Sequence, residues 1–183
     1  LFVTRWLLWF LGGVLLGGIV HLATVLWLPR TATQNAYARL EPVTPVNAMV
    51  VLPAPTPENA TLPFMDPAFA TAVCRYDLSR GPMQFSATIS QAYTSASFYT
   101  RFGISYYAIN DRAAGRRLIE LSLMTEQQRS EMPEEEDVTT ADRLIVESPT
   151  LTGIIVLKAL APEPGLMPMA RESLANARCR MQP

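Results

Sequence analysis

Met83-Gln84-Phe85-Ser86-Ala87-Thr88-Ile89 alternates apolar and polar side chains without a break. Successive residues of a strand point to opposite faces, so this period of two predicts a half-buried β-strand. Downstream, Ala96, Phe98, Thr100 and Phe102 alternate with Ser97, Tyr99 and Arg101, and Gly103 then leads into Ile104 to Ile109. That reads as a hairpin in which glycine takes the special backbone conformation. Leu118 to Met124, Arg143 to Glu147 and Gly153 to Leu160 supply three further strands, the last with the near-continuous apolar character of a sheet interior. Short strands separated by turns predict a mainly β domain, an antiparallel β-sandwich or jelly-roll-like barrel with a few short helices.

The helices have their own signals. Asp66-Pro67 has the form of a helix start, with Asp66 as N-cap and Pro67 at N1, leading toward Cys74. Thr125 to Glu131 reads as a helical turn capped by Thr125, with Gln128 completing a capping box. Met167 to Cys179 reads as an amphipathic helix that turns Ala170, Leu174 and Ala177 toward the sheet. Thr31 to Leu40 continues as a short polar helix at the membrane surface until Pro42 and Pro45 interrupt it, and Pro53-Ala54-Pro55-Thr56-Pro57 is an extended connector.

Upstream of these elements the run from Trp6 to Leu28 carries no formal charge. As a helix it is about 34 Å long, enough for a hydrocarbon core of about 30 Å. Trp6, Trp9 and Trp27 mark its ends and Arg5 and Arg30 bracket it, as expected of a retained single-pass anchor rather than a cleaved leader. The chain therefore divides into an anchor over 1–30, a stalk and Pro-rich connector over 31–65, and a β-rich domain over 66–183. Arg5 before the helix against Arg30 and Arg39 after it leaves orientation undecided by charge. The only cysteines, Cys74 and Cys179, suit one disulfide in an oxidising compartment, which places the C-terminal domain in the periplasm of a bacterial inner-membrane protein. The alternative is two unrelated buried thiols.

Composition narrows the function. Of 183 residues, 49% are hydrophobic, and 15 basic side chains balance 16 acidic ones, which gives no footprint for nucleic acid. The single His, His21, sits within the apolar run, so the β domain has no imidazole for a Ser-His-Asp triad, a Cys-His dyad or a His-ligated metal. No catalytic constellation emerges, and the expectation is a non-enzymatic protein without a metal.

Two sets of residues carry a family resemblance. Ile19-Val20-His21-Leu22-Ala23-Thr24-Val25-Leu26-Trp27-Leu28-Pro29-Arg30 with Asn35-Ala36-Tyr37-Ala38-Arg39-Leu40 resembles the opening of short bacterial membrane proteins in family 1254 of the domains of unknown function. Cys74-Arg75-Tyr76-Asp77-Leu78-Ser79-Arg80-Gly81-Pro82 and Asn110-Asp111-Arg112-Ala113-Ala114-Gly115-Arg116-Arg117 are similar to its later motifs. The resemblance implies an anchor, an outward-facing β-rich domain and the company of a small membrane protein of the sister family 1214. It implies no activity and no catalytic residues.

Candidate sites follow from chemistry. Gly13, Gly17, His21 and Thr24 form one small, polar helix face, fit for close packing against another transmembrane helix with His21 hydrogen-bonding across the contact. A sharper alternative is axial ligation of bacteriochlorophyll or haem by His21. Arg75, Arg80, Arg112, Arg116 and Arg117 would, if gathered at one end of the domain, hold an anionic ligand or partner, although Asp77-Gly81 and Asn110-Gly115 read first as hydrogen-bonded turns. Tyr93, Tyr99, Tyr106 and Tyr107 read as cross-strand packing before a sugar or peptide cleft, Glu134 to Asp137 as a solvated loop before a calcium site, and Lys158 as a strand lysine before a catalytic base. The expected role is an accessory or structural subunit docking into a larger membrane complex, photosynthetic or respiratory, with its β domain as a cap. The alternative is a periplasmic ligand-binding or envelope-assembly module.

Overall fold

A computed structural model describes the chain except residues 1, 32–34, 57–59, 63, 115–116, 133–143 and 183. It separates into two units, residues 1–33 and 34–183. The first is a single helix, α1 (Phe2–Thr31), of which Phe2–Leu28 is long and apolar enough to cross a membrane. The described side chains from Phe2 to Leu28 are exposed, as expected of a helix whose apolar surface has no protein around it.

The second unit is mostly β. Its strands are β1 (Met49–Val51), β2 (Phe69–Asp77), β3 (Met83–Thr88), β4 (Thr94–Thr100), β5 (Ser105–Asn110), β6 (Leu118–Met124), β7 (Leu144–Glu147), β8 (Thr152–Leu160) and β9 (Arg178–Met181). They form a five-stranded sheet in the order β1-β2-β8-β4-β5 and a four-stranded sheet in the order β7-β6-β3-β9. Neighbours are antiparallel except β6 and β7, which run parallel. Short helices α2 (Ala36–Leu40), α3 (Asp111–Ala114), α4 (Glu126–Ser130) and α5 (Met167–Ala175) complete it.

The period-two strands bury the face their pattern predicts. Met83, Phe85 and Ala87 of β3, Ile119 and Leu121 of β6, Ala96 and Phe98 of β4, and Ile155 and Leu157 of β8 meet in one core shared by both sheets. Phe85 and Phe98 contact edge to face across it, their ring centroids 5.7 Å apart. Gly103 turns the β4–β5 hairpin at φ +81°, a conformation without penalty only for glycine. The capping box of α4 forms as its sequence predicts, Thr125 Oγ1 accepting from the Gln128 amide and Gln128 Oε1 from the Thr125 amide. Ala170, Leu174 and Ala177 are buried on the stripe facing the core.

Three expectations are corrected. Residues 35–56 are no stalk but part of the second unit: β1 pairs with β2, and Leu40 and Leu52 close a second cluster with Val73 and Ile154 on the outer face of the five-stranded sheet. Asp66-Pro67 starts no helix; Asp66 Oδ1 accepts from the Ala68 amide in a tight turn, and β2 follows at once. Pairing along the whole of β2 with β8 outweighs a local cap. The C-terminal helix stops at Ala175, and Cys179 lies in a strand, because Cys179 and Met181 alternate with Arg178 and Arg180 and pair with β3. The strand expected at Arg143 begins at Leu144 among the described residues, whereas Glu134 to Asp137 lie outside them.

Candidate functional site

At about 100° per residue, Gly13, Gly17, His21 and Thr24 fall within an arc of about 80° on α1. A Cβ at Gly13 or Gly17 would meet nothing within 4 Å, so the face is open to a close neighbour. Thr24 Oγ1 donates to the Val20 carbonyl at 2.8 Å and so satisfies its hydroxyl within the helix. His21 is exposed on this same face.

Cys74 and Cys179 are joined in a disulfide. Cys74 belongs to β2 and Cys179 to β9, so the bridge ties the five-stranded sheet to the four-stranded one through the core. Met83 Sδ lies 3.3 Å from Cys179 Sγ, which packs the bridge against β3.

Among the described residues, Arg80 and Arg117 are not brought together. Arg80 sits in the turn before β3, and Arg117, whose carbonyl accepts from the Ile89 amide, sits just before β6. Because Met83 pairs with Leu123 and Thr88 with Leu118, Arg80 and Arg117 lie at opposite ends of β3, about 20 Å apart at about 3.3 Å per residue. Arg112 is on the single turn α3, where Asn110 Oδ1 accepts from the Ala113 amide. Arg116 falls outside the described residues.

Arg75 is buried and has a structural task. Its guanidinium stacks over the Tyr37 ring at 4.4 Å, donates to the Thr44 carbonyl at 3.5 Å and stands 4.0 Å from the Glu41 carboxylate. The flat cation thus rests on an aromatic face with a carbonyl and a carboxylate at its edge, while its buried Nε has no hydrogen-bond partner among the described residues. Arg75 thereby fastens α2 to the sheet. Val46 and Asn47 reinforce the attachment: Asn47 donates to the Asp77 carbonyl and accepts from the Asp77 amide.

Residue-type reasoning missed a buried hydroxyl cluster. Tyr76 Oη lies 3.0 Å from Tyr106 Oη, 2.9 Å from Ser148 Oγ and 3.3 Å from the Tyr99 carbonyl. Burial, reinforced by the neighbouring Tyr76, raises the Tyr106 phenol well above its ordinary range, so Tyr106 is a neutral hydrogen-bonding partner. The available signal was Gly153, a glycine inside an apolar strand, which marks close approach of another group. The remaining tyrosines pack rather than line a cleft. Tyr106 and Tyr107 surround Phe98 at 6.4 and 5.7 Å, and Tyr93 meets Phe69 edge to face. Lys158 lies in register with Thr71 and Ser95, its ammonium 5.8 Å over the Phe69 ring.

A cavity of about 290 Å³ opens between α5 and the β3–β4 connection, lined in part by Ile89, Leu160, Leu166, Met169 and Glu172. Glu172 is the one ionisable group among its described lining residues, and acid–base work on a glycan needs two opposed carboxyl groups. Among the described residues no three His, Cys, Asp or Glu side chains gather in a set that could hold a metal ion.

No family model and no curated protein matches this sequence. The fold is similar to that of a solved structure. The VPA0106 protein of Vibrio parahaemolyticus is similar over 80% of this chain, with a TM-score of 0.58 at 13% sequence identity. A putative uncharacterised protein of Burkholderia cenocepacia is similar over 69% of the chain, with a TM-score of 0.47 at 12% identity. This chain spans only 34% of the length of each. At this identity the Vibrio likeness concerns the fold alone, and a fold does not by itself imply a function.

Proposed function

We propose that this protein is a non-enzymatic, single-pass accessory subunit of a bacterial inner-membrane complex. In this reading α1 spans the bilayer and pairs with another transmembrane helix through Gly13, Gly17, His21 and Thr24, while residues 34–183 form a disulfide-closed β-sandwich that caps the assembly on the periplasmic side. The observation that carries it is the open glycine face with an ionisable imidazole on it. An imidazole at mid-membrane is costly to desolvate and gains most from a partner within protein, and glycines one turn apart let a second backbone come close enough to supply it. The disulfide and the resemblance to family 1254 support the outward placement of the domain, and the sister family 1214 is the natural class of partner. The separation of Arg80 from Arg117 favours this reading over capture of a small anion by the domain.

The test is a substitution series read by particle size in gentle detergent extracts of the native membrane. Gly13→Leu, Gly17→Leu and His21→Ala each weaken association by about 1–2 kcal/mol, roughly tenfold, and shift the chain to a smaller particle. Leu15→Ala and Leu22→Ala, on the opposite side of the helix, leave particle size unchanged. Equal behaviour of the two groups contradicts the pairing face. A visible or near-infrared band that disappears with His21→Ala assigns the imidazole to a macrocycle instead of a helix partner.

A further inference from the structure

The cavity between α5 and the β3–β4 connection takes no part in helix pairing, yet it has the make-up of a small-molecule site. Its volume of about 290 Å³ stands at the lower end of such sites. Ile89 and Leu160 give it an apolar lining that Leu166 and Met169 extend, and these last two side chains are exposed. Both walls are fixed before anything binds. On one side the Ser90 amide donates to Thr94 Oγ1 at 3.0 Å, the Ser90 and Thr94 hydroxyls lie 2.8 Å apart, and the Leu160 amide donates to the Tyr93 carbonyl, which pins the β3–β4 connection to β8. On the other side Ala170 and Leu174 anchor α5 in the core. A cavity already in place spares a ligand the cost of ordering it.

Electrostatics indicate what the ligand is. Glu172 is the one ionisable side chain among the described lining residues, and among the described residues no cation pairs with its carboxylate. The two arginines nearest to it in sequence are engaged elsewhere, Arg171 with the Leu52 carbonyl and Arg178 with the carbonyls of Ala175 and Ala177. Gln91 and Asn176 add side-chain amides to the lining, and Asn176 commits its amide nitrogen to the Glu172 carbonyl, which leaves its oxygen to accept. None of the described lining residues is aromatic, so the cavity is no cage for a quaternary ammonium. Amide oxygens beside a carboxylate suit a cation that carries several N–H donors, and a primary ammonium is such a group.

We infer that this cavity binds a small primary amine in its ammonium form, the apolar body lying against Leu160, Leu166 and Met169 and the ammonium on the Glu172 carboxylate. The site belongs wholly to the β domain and is independent of what α1 pairs with.

The experiment uses the full chain in micelles of a nonionic detergent, with carbon-13 in the methionine methyl groups, and follows the Met169 resonance, assigned by its loss in Met169→Leu. The probes are benzylamine, its neutral counterpart benzyl alcohol, the anion phenylacetate, and benzyltrimethylammonium. Benzylamine shifts Met169 saturably with a midpoint near about 1 mM, ordinary for a ligand of so few atoms, while Met83, in the core at the far end of β3, stays in place. Glu172→Gln weakens benzylamine about three- to fivefold, to the level of benzyl alcohol, and Glu126→Gln on α4 changes nothing. Phenylacetate and benzyltrimethylammonium bind more weakly than benzylamine. Absence of a saturable shift by about 20 mM overturns the site itself. Benzyl alcohol or phenylacetate binding as tightly as benzylamine, or Glu172→Gln binding it as the wild type does, overturns the assignment to an ammonium; benzyltrimethylammonium binding as tightly overturns the requirement for N–H donors.

Discussion

Replacing Gly153 by alanine lowers the stability of the β domain by about 3 kcal/mol or more, a large share of the 5–15 kcal/mol typical of a domain. Gly153 lies in β8 between Tyr76 of β2 and Thr100 of β4. A Cβ there would overlap the Tyr76 hydroxyl and the Tyr99 carbonyl oxygen. The phenol end can swing aside, though only by abandoning Tyr106 and Ser148; the carbonyl belongs to a central sheet and cannot. The variant therefore combines overpacking with the loss of buried hydrogen bonds. Tyr76→Phe in the same background rescues only part of the loss, since the clash with the Tyr99 carbonyl remains. Urea titration followed by circular dichroism measures both, and a loss under about 1 kcal/mol for Gly153→Ala would mean that the sheet yields far more readily than close-packed interiors do.

Removal of the disulfide is the second large effect. Cys74→Ala with Cys179→Ala lowers stability by about 2–5 kcal/mol, the range for a native bridge that closes a long loop in a small domain. The bridge spans 105 residues in sequence. Its leverage is also topological, because among the described residues β9 is a four-residue edge strand paired only with β3, and the bridge fastens it to the opposite sheet. Reductant should lower the urea midpoint of the wild-type domain by the same amount and leave the double variant unaffected. A midpoint that stays in place under both treatments would show that sheet packing alone sets the stability.

Much of this architecture is legible in one sequence because its signals are local. Alternation at Met83 to Thr88, the capping box at Thr125 and Gln128, and the glycine of the β4–β5 hairpin each act within a few residues, and each appears where its pattern places it. What escapes is non-local. Asp66-Pro67 carries a helix-start pattern, but the preference of that short segment yields to nine register pairs between β2 and β8. Arg178 to Met181 is too short to show its period against a preceding helix, and only its partner β3 makes it a strand. Arg75, Arg80 and Arg117 share a residue type, not a place: antiparallel pairing of β3 and β6 carries Arg80 and Arg117 to opposite ends, and Arg75 is buried against Tyr37. The hydroxyl cluster of Tyr76, Tyr106 and Ser148 joins β2, β5 and the residue after β7, a meeting that no linear spacing announces.

The most direct measurement is the fate of the N-terminal helix in the native cell, since a cleaved signal sequence shares the length and apolar character of α1. Membranes washed with alkaline carbonate are analysed for the intact chain by mass spectrometry, and spheroplasts are treated with protease from outside. The account predicts that Phe2–Leu28 remains joined to the β domain in the washed membrane and that external protease, after reduction of the disulfide, removes the domain. A soluble protein beginning after Leu28, or a domain protected until the membrane is broken, would contradict it.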